Sequence, residues 1–330
     1  MEKLMVLDGD FEAQLRRNLG QKENLDSAFA LQALRDNQYA VYKTHLDYLR
    51  AGAQIIRTNT YRASLDSIKK HLHVPESPPM LHIAVQLAKQ ALFKYHEETG
   101  PVKNRSRPLV AGCLSSYAST FEDETNGFKH TTNSVFKFLS WYHRQRVQQL
   151  LKFGVDILAF ESIPCMREVK AIIEVLKLYL NARIWITFSC QPNGLLLDGT
   201  SFEKAATYCC NTLPTQIYAI GAKCSLPNSM KFLMREINDK RYLKIPFVFY
   251  VDKCHFSTTE ANGASIIAPQ NNFMKELFDC GVRYIGGGTN TVAEDIREIR
   301  KQVDNYCPSK KKITLLNSYS NQNTLNHSKL

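Results

Sequence analysis

Eight short apolar runs, rich in β-branched and aromatic residues, recur along this chain with helix-length segments between them. They are Met5 to Leu7, Ile55 to Tyr61, Leu109 to Leu114, Ile157 to Phe160, Ile184 to Phe188, Ile217 to Ile220, Phe247 to Val251, and Tyr284 with Ile285. Runs that are continuously apolar rather than alternating suit strands covered on both faces, as in a parallel sheet. The intervening segments show helical periodicity, for example His82, Val85, Leu87 and Ala88, or Val147, Leu150, Leu151 and Phe153. Strand followed by helix, repeated eight times, predicts a single (β/α)8 barrel. The competing doubly wound sheet requires a glycine-rich dinucleotide turn after its first strand. Asp8, Gly9, Asp10, Phe11 and Glu12 do not supply one.

A chain of 330 residues with 44% hydrophobic residues is large enough to fill such a barrel. The ordered barrel domain is expected over residues 1–307. A flexible polar tail is expected over 308–330, where Lys310, Lys311 and Lys312 precede a Ser/Asn-rich ending. The first ten residues lack the basic-then-apolar layout of a signal peptide, and no apolar stretch reaches membrane-spanning length. Nine cysteines, an odd number with no CxxC pair, point to reduced thiols and a cytoplasmic location. The formal charge of +11 permits an anionic partner, yet the basic residues are interleaved with acids, as in Glu294, Asp295, Arg297, Glu298, Arg300 and Lys301. That is the pattern of solvated helix faces, so no nucleic-acid or membrane partner is expected.

Polar or small residues stand at the end of each apolar run: Asp8 and Gly9, Asn59 and Thr60, Gly112 to Ser116, Glu161 and Ser162, Ser189 and Cys190, Cys224, Asp252, and Gly286 to Thr289. In a barrel these ends meet at the carboxyl-terminal face, the face on which barrel enzymes build their sites. Eight dispersed fragments thereby become one candidate pocket. The triple glycine Gly286 to Gly288 precedes a helix whose start carries a Thr291/Glu294 capping-box pattern, and such a turn suits an anion cradle or simply close backbone packing.

The motifs themselves favour another reading of the glycines. VLDGDFEAQL, HLDYLRAGAQIIRTNTYRAS, YHRQRVQQLLKFGVDILAFESIP, FSCQPNGLLLDGTSF, AIGAKC and GVRYIGGGTNTVAEDI follow one another in an order and spacing that resembles the homocysteine S-methyltransferase family from Met5 to about Val303. The resemblance implies a zinc-dependent barrel enzyme that moves a methyl group from S-methylmethionine or S-adenosylmethionine to homocysteine, giving methionine. A free thiol titrates near pH 8.5 and attacks as its thiolate, so the family's Zn²⁺ holds the substrate sulfur deprotonated. Three protein cysteines bind that metal, one ending the sixth strand and an adjacent pair ending the eighth, and the substrate thiolate takes the open position.

Carried onto this chain residue by residue, the resemblance assigns Cys224 as the sixth-strand ligand. Gly288 and Thr289 stand where the cysteine pair is expected. Glycine offers no side-chain donor and threonine only a poor neutral oxygen, so the triple glycine looks like a metal site from which two thiolates have been removed. Cys254 and His255, expected at the end of the neighbouring seventh strand, are candidate substitute ligands beside Cys224. Further departures are Gln14 for a family glutamate, Lys223 beside Cys224, and Lys253 after the seventh strand. An ammonium pointing inward at either lysine would oppose a divalent cation by about 4 kcal/mol per unit charge pair at 4 Å with an effective dielectric near 20.

Asp8, Gly9, Tyr61, Tyr117 and Glu161 occupy family positions and form the expected substrate-binding set. A carboxylate such as Glu161, placed directly after the apolar run ILAF, is costly to bury without a partner. His143, on a helix in YHRQR, is expected to be structural. The resulting expectation is a homocysteine S-methyltransferase family protein whose zinc-thiolate chemistry is impaired, with zinc absent or weakly bound, and which keeps a pocket for homocysteine, methionine or a methyl-sulfonium metabolite. The alternatives are methyl transfer persisting through Cys224, and a non-catalytic interaction protein engaging a protein partner.

Overall fold

The computed structural model describes residues 4–20, 28–72, 78–100, 107–121, 124–133, 135–224, 227–261, 264–269 and 271–306. The expected tail over 308–330 lies outside the described residues. The strands are β1 (Met5–Val6), β2 (Ile55–Arg57), β3 (Leu109–Ser115), β4 (Ile157–Ile163), β5 (Ile184–Cys190), β6 (Ile217–Cys224), β7 (Phe247–Val251), β8 (Phe256–Ala261), β9 (Ala264–Pro269) and β10 (Val282–Gly287). Eight of them pair in parallel in the order β1-β10-β7-β6-β5-β4-β3-β2. A parallel bridge between Leu7 and Ile55 joins the two ends of that order. The seam is held by Asp8 N–H to Ile55 O at 3.1 Å and Gln54 N–H to Val6 O at 2.7 Å. The eight apolar runs are therefore the eight barrel strands, and the fold is the single (β/α)8 barrel that their spacing predicts.

Two details differ from the sequence reading. The run Ile55 to Tyr61 leaves the sheet after Arg57, because Thr58, Asn59 and Thr60 turn the chain. Thr60 N–H bonds Thr58 O at 2.8 Å, and Asn59 Nδ2 donates to Ala30 O at 2.6 Å. An antiparallel hairpin of β8 and β9, inserted between β7 and the following helix, was not expected.

The interior of the barrel is filled by strand residues alone: Leu7, Ile55, Ala111, Ile157, Ala159, Trp185, Ala219 and Val248 form one buried cluster. Trp185, with no exposed surface, is the largest of them. A second cluster lies between the strands and the surrounding helices, each of which turns an apolar stripe inward. The helix Met166–Leu176 does this with Val169, Ile172, Ile173, Val175 and Leu176. A third cluster, with Leu15, Phe29, Leu31, Leu34, Val41, Ile68 and Leu81, holds the N-terminal helices together and brings Ala30 and Leu31 to the mouth of the barrel.

The helix Ala293–Asp304 begins differently from the Thr291/Glu294 box. Asp295 Oδ2 accepts the Val292 N–H at 2.9 Å, Thr291 Oγ1 donates to Gly288 O at 2.6 Å, and Glu294 pairs with Arg17 at 2.6 Å. Thr291 thus braces the glycine turn rather than capping the helix. Among the described residues no helix is long and apolar enough to cross a membrane.

Strands β6 and β7 approach so closely at Gly221 that a methyl group there would fall on the carbonyl oxygen of Val248. Gly221→Ala is expected to cost about 1–3 kcal/mol through overpacking against backbone that cannot move aside. Urea denaturation checks this, and an unchanged midpoint would show that the two strands separate freely.

Candidate functional site

A cavity of about 330 Å³ opens at the carboxyl-terminal ends of the strands, lined among others by Arg57, Tyr61, Glu161, Lys223, Tyr250, Asp252, Gly288 and Thr289. Glu161, in β4, is buried at 5% exposure at its floor. Residues of β5 and β7 that share its face supply the partners a buried carboxylate requires. Trp185 Nε1 donates to Oε1 at 2.7 Å, Tyr250 OH donates to Oε1 at 2.6 Å, and Thr187 Oγ1 donates to Oε2 at 2.7 Å. Three donors satisfy three of roughly four lone-pair positions and fix the rotamer.

Asp8, in contrast, is turned away from the ligand space. Its side chain is held by Arg57, whose backbone N–H donates to Oδ2 at 2.6 Å and whose Nε donates to Oδ1 at 2.7 Å. Arg57 Nη2 also donates to Gly9 O at 2.8 Å. Burial pushes the Asp8 carboxyl above its ordinary value, and the Arg57 guanidinium and amide pull it back. Arg57 lies with its guanidinium carbon 4.6 Å from the centre of the Tyr250 ring. Sequence reasoning missed Arg57. The signal was present, because a cation directly after two buried isoleucines in IIRTNT demands a counter-charge inside the barrel.

Of the other expected substrate residues, Tyr61 lines the cavity, and burial pushes its hydroxyl up to about 12. Gly9 contributes its carbonyl to Arg57, and a side chain there would run into the Tyr48 and Thr291 hydroxyls, each 2.9 Å away. The structure does not bring Tyr117 to these groups. Its ring packs edge-on against Phe121, Phe138 and Tyr142 at centroid distances of 5.1 to 5.4 Å. Gln14 is also elsewhere, accepting Ala293 N–H at 3.0 Å and donating to Asp47 at 3.1 Å, so it anchors the last helix. His143 is fully buried against Glu168 at 2.8 Å, and burial lowers its basicity, as suits a structural group.

The two lysines part company. Lys223 is exposed and lines the cavity. Lys253 points to Asp295, with which it forms an ion pair, and its ammonium lies 5.0 Å from the centre of the Phe256 ring. Cys224 ends β6 in register with Cys190 of β5, while its side chain lies outside the described residues.

At the ends of β7 and β10 the geometry is tight. Thr289 N–H donates to Asp252 Oδ1 at 2.6 Å, Gly288 N–H to Val251 O at 2.9 Å, and Lys253 N–H to Thr289 O at 3.0 Å. A Cβ on Gly288 would lie against Asp252 Oδ1, and one on Gly287 against Thr291 Oγ1, both too close for van der Waals contact. The carboxylate of Asp252, which sequence reasoning placed among the strand-end pocket residues without assigning it a role, thus crowds the space that a side chain at position 288 would enter. Asp252 also stands beside Cys254 and His255, the ligand atoms of all three lying within 4.8 Å of one another.

The family model for homocysteine S-methyltransferase matches residues 5–303. The chain belongs to the homocysteine S-methyltransferase family. It is 30% identical over 319 residues to a betaine-homocysteine S-methyltransferase of Drosophila melanogaster, covering 91% of this chain and 94% of that protein. It is 28% identical to a homocysteine S-methyltransferase of Escherichia coli, covering 91% and 95%. The metallated form of the Escherichia coli homocysteine methyltransferase MmuM shares the fold, with a TM-score of 0.77, 24% identity and coverage of 91% of this chain and 96% of that one. Against this family background, the Asp8–Arg57 pair and the Asp252 carboxylate are the features that shape this cavity.

Two variants probe those features. Arg57→Met leaves the Asp8 carboxylate buried without its counter-charge, which is expected to cost about 3–5 kcal/mol at neutral pH. The folded protein then binds a proton on Asp8 at a pH where the unfolded chain does not, so stability falls as pH rises from the ordinary carboxylate range through the raised value. The deficit should therefore shrink as pH is lowered toward about 4. Urea unfolding across that range checks this, and a deficit independent of pH would clear the carboxyl of blame. Gly288→Ala should destabilise the protein in its native background and much less in an Asp252→Ser background, with a coupling of about 0.5–3 kcal/mol in a double-mutant cycle.

Proposed function

We propose that this protein binds homocysteine- or methionine-type metabolites in the mouth of its barrel and does not carry out methyl transfer by the three-thiolate zinc chemistry that resemblance to its family implies. The observation that carries the reading is the Asp252 carboxylate, seated where a cysteine side chain at position 288 would start and held there by the Thr289 N–H. With Gly288 and Thr289 in place of a cysteine pair, a site of three protein thiolates does not fit these residues.

The residues that remain suit an amino acid. Glu161 presents a carboxylate to a ligand ammonium, its three donors from Trp185, Thr187 and Tyr250 keeping it aimed at the cavity. Arg57 lines the same cavity and offers a cation to a ligand carboxylate, while Asp8 is already spoken for by Arg57. Tyr61, Phe249 and Cys113 supply an apolar wall for a thioether chain. Burial raises the Cys113 thiol, so it serves as wall rather than nucleophile. A cytoplasmic, single-domain barrel with a polar tail completes the reading.

Thermal-shift titration with homocysteine, methionine and S-methylmethionine tests the binding half. At 100 times its dissociation constant a ligand stabilises by about 2.7 kcal/mol, and Glu161→Gln should remove most of that shift. Absence of a shift with any of the three would overturn it. The catalytic half is tested by assaying methionine formation from homocysteine and S-methylmethionine, where none above the uncatalysed rate is expected. Turnover that disappears in Cys224→Ser would show that the family chemistry survives on that thiolate.

A further inference from the structure

The turn that follows β7 holds three different metal-ligating groups within four residues. Asp252, Cys254 and His255 bring a carboxylate oxygen, a sulfur and an imidazole nitrogen to within 4.8 Å of one another, and Cys254 Sγ lies 3.6 Å from His255 Nδ1. A tetrahedral zinc ion with sulfur at about 2.3 Å and nitrogen at about 2.0 Å sets those two atoms about 3.5 Å apart. The sulfur and nitrogen are already at that spacing, and a carboxylate oxygen within 4.8 Å of both needs to close by at most about 1.5 Å.

We propose that Asp252, Cys254 and His255 form a site for one zinc-type divalent cation at the rim of the barrel cavity. This set lies at the end of β7, beside the Gly288 and Thr289 positions, and uses one thiolate instead of three.

The surroundings favour coordination over an incidental contact. Asp252 Oδ1 is fixed by Thr289 N–H at 2.6 Å, an outer hydrogen bond of the kind that orients carboxylate ligands and leaves the second oxygen for the metal. The His255 ring lies parallel to Phe273, with centroids 5.9 Å apart and planes 11° from one another, which limits its rotation. The short 3₁₀ turn Lys253–His255 is closed by His255 N–H to Asp252 O at 2.9 Å, so the three side chains share one rigid support. Lys253, the nearest cation in sequence, pairs with Asp295 and does not oppose the ion.

A carboxylate, a thiolate and a neutral imidazole carry two negative charges and match a borderline-soft dication better than Ca²⁺ or Mg²⁺, which prefer all-oxygen sites. Cys254 is exposed and Asp252 lines the cavity, so a fourth position is left open to solvent or ligand. Binding forms the metal–sulfur bond and releases the Cys254 thiol proton to solvent. The site does not depend on the metabolite reading above, since it concerns a different set of ligands.

Titration of chelator-treated full-length protein with Co²⁺ tests the proposal. One equivalent should produce a thiolate-to-cobalt charge-transfer band and the intense visible bands of tetrahedral cobalt, and Zn²⁺ should displace both. Cys254→Ser, at an exposed position, should abolish the charge-transfer band without shifting the melting temperature of the metal-free protein. His255→Ala and Asp252→Asn should each weaken binding by at least about tenfold, since even outer-shell losses cost that much. Cys224→Ser should leave the band in place. Absence of the band, its survival in Cys254→Ser, or its loss in Cys224→Ser overturns the assignment.

Discussion

The barrel closes through one buried ion pair as much as through its hydrogen-bond ladder. β1 is two residues long, β2 is three, and a single bridge joins them. Across that short seam Arg57 gives Asp8 two hydrogen bonds, from its backbone N–H and its Nε, and gives the Gly9 carbonyl a third. A desolvated pair contributes little net stability over a well-packed apolar pair, but breaking it strands a charge. Its value here is geometric, because it fixes the two strands whose ends form one wall of the cavity.

From that seam a line of contacts crosses the barrel mouth. The Arg57 guanidinium rests on the Tyr250 ring, Tyr250 donates to Glu161, and Glu161 gathers Trp185 and Thr187. Charge is distributed along it in a fixed order: the Asp8 carboxylate behind, the Arg57 cation next, an aromatic face, then the Glu161 carboxylate. The cavity lining thus carries a cation over the Tyr250 ring face and an anion at the Tyr250 hydroxyl. Burial raises the Tyr250 hydroxyl well above its ordinary value, so it stays a hydrogen-bond donor to Glu161 at any physiological pH.

Much of this architecture was legible in the sequence, and the reasons for the gaps are physical. Strand residues buried on both faces leave a continuous apolar signature, so all eight barrel strands could be read. The β8–β9 hairpin went unread although the sequence carries its signal, since Asn262 and Gly263 stand between the short runs FSTTEA and ASIIAP. Within the site, Glu161 stood out because it ends an apolar run, and the same logic applied to Arg57 would have found it. Tyr117 illustrates the opposite limit. Its position in the sequence is correct for the mouth of the barrel, but its ring packs among three neighbouring aromatic rings, and that competition is invisible without the fold. Asp252 was read as a strand-end pocket residue, but its contact with position 288 was not, because that contact joins two strand ends distant in sequence.

That last contact ties the composition of the two strand ends together. A side chain at 288 would press on the Asp252 carboxylate where it now sits, so a larger residue there requires that carboxylate to shift and give up its bond to Thr289 N–H. The Asp252 carboxylate compensates by accepting the Thr289 N–H, which would otherwise be left without a partner at the edge of the cavity. The turn that carries the aspartate also carries Cys254 and His255, and their donor atoms lie within 4.8 Å of a carboxylate oxygen. The ends of β7 and β10 are therefore joined by one close contact, and the same β7 turn that makes it carries Cys254 and His255.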